Sequence, residues 1–162
     1  MPKDHQAGRP FAADVVIIGG CGRVGLPFGV ALASRGLSVR LYDLNAAAVD
    51  MVSSGRMPFT EAGADEPLRA ATAEGRLTAT TDPAVVGTAE VVVVVVGTPV
   101  DEHLNPDLGA VPAALDRCAE HLSDEQLIIL RSTVHPTVTA LTERMLRNRG
   151  IQADVVCCPE RI

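Results

Sequence analysis

Three closely spaced glycines and one downstream aspartate form the part of this sequence with the clearest chemical meaning. The segment Gly20–Gly25 (GCGRVG) fits the pattern G-x-G-x-x-G, and Asp43 follows it 18 residues later. Glycines at that spacing let a backbone turn approach a pyrophosphate closely, and the helix that follows directs free N–H groups at the anion. An acid about 20 residues further on accepts hydrogen bonds from ribose hydroxyls. The pattern predicts a dinucleotide-binding site.

The whole turn is expected to line the bound dinucleotide, through Gly20, Cys21, Gly22, Arg23, Val24 and Gly25. In this interpretation Gly20 permits the tight turn, Gly22 lets the backbone approach the pyrophosphate, and Gly25 lets the helix pack on the strand. The alternative is a purely structural glycine turn beside a solvated Asp43.

The charge of Asp43 also predicts which dinucleotide binds. A carboxylate accepts hydrogen bonds from a free 2′-hydroxyl but repels a 2′-phosphate, so we expect NAD in preference to NADP. Arg40 lies three residues earlier on the same predicted strand. An odd spacing along a strand places the Arg40 side chain on the opposite face, away from the acid.

The elements that would position these groups alternate between short apolar runs and helical stretches. Six runs are predicted strands: Val15–Ile18, Ser38–Asp43, Leu77–Thr80, Val91–Val96, Leu127–Ser132 and Ala153–Cys157. Val91–Val96 is six consecutive valines, which suits a central strand that is buried on both faces. Helices are predicted from the glycine turn to Gly36 and over about 46–54, 67–74, 110–122 and 137–149, with a helical turn or two after Asp82.

This alternation implies an α/β fold, a Rossmann-type doubly wound parallel sheet with helices on both faces. Right-handed connections give the strand order 3-2-1-4-5-6. A chain of 162 residues suits a single domain of this kind. We assign residues 13–162 to it and interpret residues 1–12 as a disordered leader.

Composition and charge exclude several other functions. The net charge is −6, and the Lys and Arg residues are scattered, which argues against binding to nucleic acid. The apolar runs are far shorter than the roughly 20 residues that span a bilayer. The first dozen residues lack the apolar stretch of a signal peptide. We therefore expect a cytoplasmic protein that binds neither nucleic acid nor membrane.

No metal site or disulfide is predicted. The four cysteines contain no CxxC pair, and we expect reduced thiols buried as small hydrophobes: Cys21, Cys118, Cys157 and Cys158. A loop holds four potential ligands without the spacing of a known metal site: Asp101, Glu102, His103 and Asp107. His135 is interpreted as a loop histidine, although it lies close in sequence to Thr133.

Five short motifs resemble the UDP-glucose/GDP-mannose dehydrogenase family, whose members are nucleotide-sugar 6-dehydrogenases. They follow in order along the chain: Gly22–Pro27 (GRVGLP), Gly97–Val100 (GTPV), Asn105–Leu108 (NPDL), Ser132–Val134 (STV) and Cys157–Arg161 (CCPER). The resemblance covers nearly the whole chain from Asp14. Ligands of open parallel sheets bind at the carboxyl ends of the strands, where these motifs are expected to meet.

The resemblance implies roles for three residues outside the glycine turn. By this resemblance Thr98 and Thr133 are expected to contact NAD on its nicotinamide side, and Thr133 and Glu160 are expected to help to position substrate and a hydrolytic water. An alternative for each threonine is that its hydroxyl only caps a loop or a following helix. The alternative for Glu160 is a solvated carboxylate.

The reaction that the resemblance implies is oxidation of a nucleotide-sugar C6 alcohol to the uronic acid with two NAD⁺. The family uses a cysteine nucleophile in a glycine-rich, lysine-containing motif downstream of the first domain, and these 162 residues contain no such motif. The family's central helix and nucleotide-sugar-binding domain are also missing. We therefore expect this chain to bind NAD without turnover, as part of a longer, homo-oligomeric enzyme that takes a UDP-sugar.

Two features resemble the branch that acts on UDP-N-acetylated hexosamines such as UDP-N-acetylmannosamine. One is Ala46–Ala48, where many family members carry a basic residue that grips the cofactor, and the other is the loop Asp101–Leu104. Two alternatives stay open: a dehydrogenase of the 3-hydroxyacid or 6-phosphogluconate type, and a non-enzymatic Rossmann module that senses NAD. The combination of Thr98, Thr133 and Glu160 favours the nucleotide-sugar enzymes.

Overall fold

The computed structural model describes residues 11–97 and 107–159. The strands in these ranges are β1 (Ala13–Ile18), β2 (Val39–Tyr42), β3 (Leu77–Thr80), β4 (Ala89–Val94), β5 (Leu127–Leu130) and β6 (Asp154–Cys157). The α-helices are α1 (Gly25–Ala33), α2 (Ala46–Ser53), α3 (Asp65–Ala73), α4 (Ala110–Asp116) and α5 (Thr137–Asn148). Short 3₁₀ helices cover Pro83–Thr88 and Ala119–His121.

The six strands form one parallel sheet in the order β3-β2-β1-β4-β5-β6. β1 lies at its centre, with Val16 in register with Arg40 of β2 and Val92 of β4. The predicted fold class and strand order are confirmed. Because all strands run in one direction, their carboxyl ends, and the loops that leave them, lie along one edge of the sheet.

Alternate residues of β1 enter two separate cores. Ile17 packs with Leu26 of α1 and with residues of α2 and α3, while Val16 and Ile18 pack with Leu115 of α4 and with α5. Leu26, Leu115 and Ile17 are completely buried. Each such side chain stabilises the fold by about 1.5–3 kcal/mol relative to exposure. The sheet is therefore covered by helices on both faces, as a doubly wound fold requires.

The valine run leaves the sheet two residues before its predicted end. β4 begins at Ala89 and stops at Val94, and Val92, Val93 and Val94 are its buried valines. The N–H of Val96 pairs with the side chain of Ser132 instead of a neighbouring strand. A side-chain partner in place of a backbone partner ends the ladder at this point. β5 likewise ends at Leu130, two residues before its predicted end.

The predicted helix over 110–122 is divided in two. α4 ends at Asp116, and the tighter 3₁₀ helix Ala119–His121 follows it. Backbone bonds that span three residues cause the break, because Cys118 donates to Leu115 and His121 donates to Cys118. The other predicted helices are confirmed with small shifts at their ends, including the cap that the Asn45 side chain forms at α2.

The leader assigned to residues 1–12 falls largely outside the described residues and stays a prediction. Phe11 and Ala12, the two that are described, lie in neither a helix nor a strand. No helix among the described residues is long and apolar enough to cross a membrane.

Candidate functional site

The glycine turn is bonded directly to the end of β2. The N–H groups of Gly19 and Gly20 donate to the carbonyl of Tyr42 at 2.9 and 3.1 Å. The next N–H, that of Cys21, donates to Asp43 Oδ2 at 2.9 Å. Asp43 Oδ1 accepts from the N–H of Asn45 at 3.0 Å. The backbone thus holds both oxygens of the half-buried acid beside the turn.

Of the three glycines in the G-x-G-x-x-G pattern, two have no room for a side chain, and the third has space beside it. A Cβ atom on Gly20 would lie 2.7 Å from Leu41 Cβ, and one on Gly25 would lie 2.5 Å from the carbonyl oxygen of Gly19. A Cβ on Gly22 would meet only that same oxygen, at 3.5 Å. The left-handed residue of the turn is Gly19, with φ +79°, rather than Gly20. Gly22 alone therefore presents a bare, exposed backbone to a ligand.

The start of α1 is suited to an anion. No side chain caps it, and its first turn contains no acidic residue. The N-terminal end of a helix carries unpaired N–H groups and a partial positive charge. Gly22 is exposed and has no side chain, so a phosphate group can approach the N-terminal end of α1. No carboxylate in the first turn of the helix competes with it.

The first cavity lies on the β2 side of the turn and has a volume of about 350 Å³. Asp43 and Leu44 form one wall, and Ala110, Ala114 and Arg117 from the α4 side form another. The remaining lining is apolar side chains and backbone: Ile18, Gly19, Gly22, Tyr42, Val95, Val96 and Gly97. The cavity suits a flat, mostly apolar group attached to hydroxyls.

The second cavity lies on the other side of the turn and has a volume of about 320 Å³. It is lined by residues 22–25, by the chain after β4 and by Arg131, Ser132 and Thr133 after β5. Five lining residues belong to both cavities: Gly19, Gly22, Val95, Val96 and Gly97. The two cavities therefore form one cleft that crosses the carboxyl edge of the sheet, with the glycine turn at its middle. A dinucleotide has the same plan, with two nucleosides joined by a pyrophosphate.

Two arginines of the second cavity are held by aromatic rings. The Arg23 guanidinium lies 5.2 Å from the ring centre of Phe59, and the Arg131 guanidinium lies 5.2 Å from that of Phe28. Arg131 Nη1 also donates to the carbonyl of Cys158 at 3.3 Å. Cation–π contacts of this kind limit side-chain freedom, so both positive charges are kept beside the cleft.

Ser132 fixes the backbone that forms the floor of the cleft, a role that the sequence motif did not reveal. Its hydroxyl accepts from the N–H of Val96 at 3.0 Å and donates to the carbonyl of Val96 at 2.8 Å. The Ser132 residue is only 7% exposed. These contacts join the ends of β4 and β5 and set the course of the chain into Gly97.

The other predicted site residues are only partly placed by the structure. Thr133 is exposed and lines the second cavity. Thr98 and Glu160 lie outside the described residues, as does the loop 101–103. His135 Nδ1 lies 2.9 Å from the hydroxyl of Thr137 and accepts from its N–H at 3.3 Å, so the ring belongs to the start of α5.

The cysteines divide into two buried and two exposed thiols. Burial, followed by the nearby charge of Asp43, raises the pKa of Cys21 to about 12, and burial raises the pKa of Cys118 to about 11. The prediction of buried thiols is wrong for Cys157 and Cys158, which are exposed. Cys157 ends β6, the edge strand, beyond which no further strand lies among the described residues, and Cys158 follows that end. No group of three potential metal ligands occurs within 11–97 and 107–159.

Comparison with known proteins agrees with the dinucleotide-binding cleft that the geometry indicates. A model of the UDP-glucose/GDP-mannose dehydrogenase family, NAD binding domain, matches residues 13–162. An NDP-N-acetyl-D-galactosaminuronic acid dehydrogenase of Ralstonia nicotianae is 34% identical over 155 residues, which cover 88% of this chain and 36% of the relative. A UDP-N-acetyl-D-mannosamine dehydrogenase of Salmonella typhimurium is 33% identical over 158 residues, with the same coverage of both chains.

The fold agrees with that of a solved relative. The structure of a UDP-glucose dehydrogenase from the archaeon Pyrobaculum islandicum superimposes with a TM-score of 0.85 at 28% identity, over 96% of this chain and 37% of that one. The chain thus spans little more than a third of the length of the relatives it matches. By its sequence, its sheet and its glycine turn, the chain belongs to the UDP-glucose/GDP-mannose dehydrogenase family, as an NAD-binding domain.

Proposed function

We propose that the chain holds NAD along the cleft, with the pyrophosphate on the glycine turn, the adenosine in the first cavity and the nicotinamide in the second. The observation that carries this proposal is the shared lining of the two cavities at Gly19, Gly22 and residues 95–97. When bound, NAD⁺ supplies a hydride acceptor. The residues of this chain bind it, orient it and select it.

On the adenosine side, Asp43 would accept hydrogen bonds from the ribose hydroxyls. The N–H groups of Cys21 and Asn45 each use one lone pair of this carboxylate, which leaves further lone pairs for a ligand. The same two N–H donors hold the carboxylate, with its negative charge, beside the glycine turn. A 2′-phosphate placed here would meet that negative charge, so NAD is selected over NADP.

On the nicotinamide side, Thr133 lines the second cavity directly, which supports its proposed contact with the cofactor. Thr98 directly follows Gly97, another lining residue of that cavity. We extend the proposal to Thr98 as a cofactor contact, and to Glu160, with Thr133, as a residue that helps to position substrate and water. Ser132 supports these contacts by fixing the backbone at Val96.

For the whole protein we propose oxidation of a nucleotide-sugar C6 alcohol to the acid with two NAD⁺, on a UDP-N-acetylated hexosamine. The names of the Ralstonia and Salmonella relatives, both of which refer to N-acetylated sugars, support this substrate class. The 162 residues alone are proposed to bind NAD without turnover. Cys21 and Cys118 are buried with raised pKa values, so neither thiol is poised as a nucleophile.

One pair of measurements tests the proposed function. Titration calorimetry of the purified chain with NAD⁺ is expected to show binding at one site. Incubation of the same sample with NAD⁺ and UDP-N-acetylmannosamine, or with UDP-glucose, is expected to produce no NADH absorbance. Absence of NAD⁺ binding would reject the cofactor site, and steady NADH formation would reject binding without turnover.

A further inference from the structure

The first cavity has an acid on its β2 side and no cation there. From Leu44 to Ser54 the sequence contains no Lys or Arg, and α2 starts with three alanines. Among the described residues that line this cavity, Arg117 is the single cation, and it comes from the far end of α4. The positive charge of the adenosine side is thus supplied from the opposite wall.

The spacing on α4 explains how Arg117 reaches the cavity. Ala110, Ala114 and Arg117 lie four and three residues apart, so they share one face of the helix. The two alanine side chains are too small to fill the space beside them. Arg117, at the C-cap, ends this row with a long planar side chain. On the opposite wall Leu44 is 63% exposed, which leaves an apolar surface uncovered.

Arg117 is not neutralised by a neighbouring acid. The adjacent acid, Asp116, pairs with Arg149 at 2.7 Å, and no ion pair joins Arg117 to a carboxylate within the described ranges. Burial raises the pKa of Tyr42, whereas the positive charge of Arg117 acts in the opposite direction. Tyr42 and Arg117 both line the first cavity, so the Arg117 side chain lies at the cavity wall.

We propose that Arg117 stacks its guanidinium on the adenine ring of bound NAD, with Leu44 against the other face. This inference rests on the proposed function, because it assigns a residue to the adenine part of the same cleft. A planar guanidinium stacks on aromatic rings, which an ammonium group does less well. The mostly apolar lining fits a base better than a 2′-phosphate, which would lie beside the Asp43 carboxylate.

Three variants of the 162-residue chain test this assignment by titration calorimetry with NAD⁺ and with AMP. R117A is expected to weaken both ligands by a similar factor, about three- to tenfold, because AMP retains the stacked base. R117K keeps the charge but loses the plane, and it is expected to bind like R117A. The control R144A removes another exposed arginine, which lies outside both cavities, and is expected to stay within about twofold of the unaltered chain.

Two results would overturn the inference. One is an R117A variant that binds NAD⁺ as tightly as the unaltered chain, and the other is an R117K variant that recovers full affinity. The second result would assign Arg117 to a phosphate instead of the base. If the unaltered chain bound no NAD⁺ at all, the proposed function would fail first, and this assignment with it. Thermal unfolding of each variant, monitored by circular dichroism, confirms that the exposed side chain was removed without loss of the fold.

Discussion

The N–H of Cys21 donates a 2.9 Å hydrogen bond to the carboxylate of Asp43, across 22 residues of sequence. This bond ties the turn after β1 to the acid after β2, and the N–H of Asn45 holds the other carboxylate oxygen. The phosphate-binding and ribose-binding parts of the site are therefore positioned relative to each other by the protein itself. A preorganised site loses less free energy in ordering when its ligand binds.

The substitution D43N tests the acid. An amide keeps the shape of the side chain but loses the charge and one acceptor oxygen. Hydrogen bonds to charged groups are worth about 1.5–3 kcal/mol, so NAD⁺ affinity is expected to fall about ten- to a hundredfold. D50N, which alters an exposed acid on α2 remote from both cavities, is the matched control for calorimetry. Equal NAD⁺ affinity in the two variants would remove Asp43 from the binding site.

Substitution by alanine is expected to lower stability at Gly25 and to weaken NAD⁺ binding at Gly22. G25A places a Cβ 2.5 Å from the carbonyl oxygen of Gly19, so the melting temperature is expected to fall by several degrees. G22A meets nothing closer than 3.5 Å and is expected to melt as the unaltered chain does. Its methyl group instead stands where the pyrophosphate approaches, so NAD⁺ binding weakens. A G22A variant with full affinity would contradict the assignment of the turn.

Ser132 is expected to act more strongly on the nicotinamide half of the cofactor, because Ser132 itself lines only the second cavity. S132A leaves the N–H and the carbonyl of Val96 without their hydroxyl partner, which loosens the chain at Gly97. NAD⁺ is then expected to bind several-fold more weakly, while ADP-ribose, which lacks nicotinamide, binds within about twofold of normal. S123A is the control, because the Ser123 hydroxyl is buried and has no hydrogen-bond partner within the described residues. An equal loss for both ligands would show a general structural role instead.

The buried thiols predict that stability falls in alkali. Both Cys21 and Cys118 have an ordinary pKa of 9.0, and folding raises these values to about 12 and about 11. Above about pH 9 the unfolded chain releases protons that the folded chain retains, so the free energy of unfolding declines as the pH rises, by up to about 1.4 kcal/mol per pH unit for each thiol. Urea unfolding at about pH 8 and about pH 10 measures this decline. In C118A the decline is expected to be shallower, and an unchanged slope would argue against Cys118 as a source.

Local patterns predicted the sheet and the glycine turn because both depend on neighbouring residues. An apolar run that ends in glycine specifies β1 and its turn, and the spacing to Asp43 follows from one helix and one strand. The roles of Ser132 and Arg117 depend on contacts 36 residues away and across the first cavity, respectively, which no local pattern contains. The exposure of Cys157 was missed because its apolar strand was interpreted as buried, although the predicted strand order already placed β6 at the edge of the sheet.

The central claim is that the acid and the glycine turn select NAD. Calorimetric titration of the unaltered chain with NAD⁺ and NADP⁺, in one buffer at one ionic strength, tests this most directly. The account predicts that NAD⁺ binds at least about tenfold more tightly, because the 2′-phosphate of NADP⁺ meets the Asp43 carboxylate, and that D43N narrows this difference. Equal affinities, or tighter binding of NADP⁺, would contradict it.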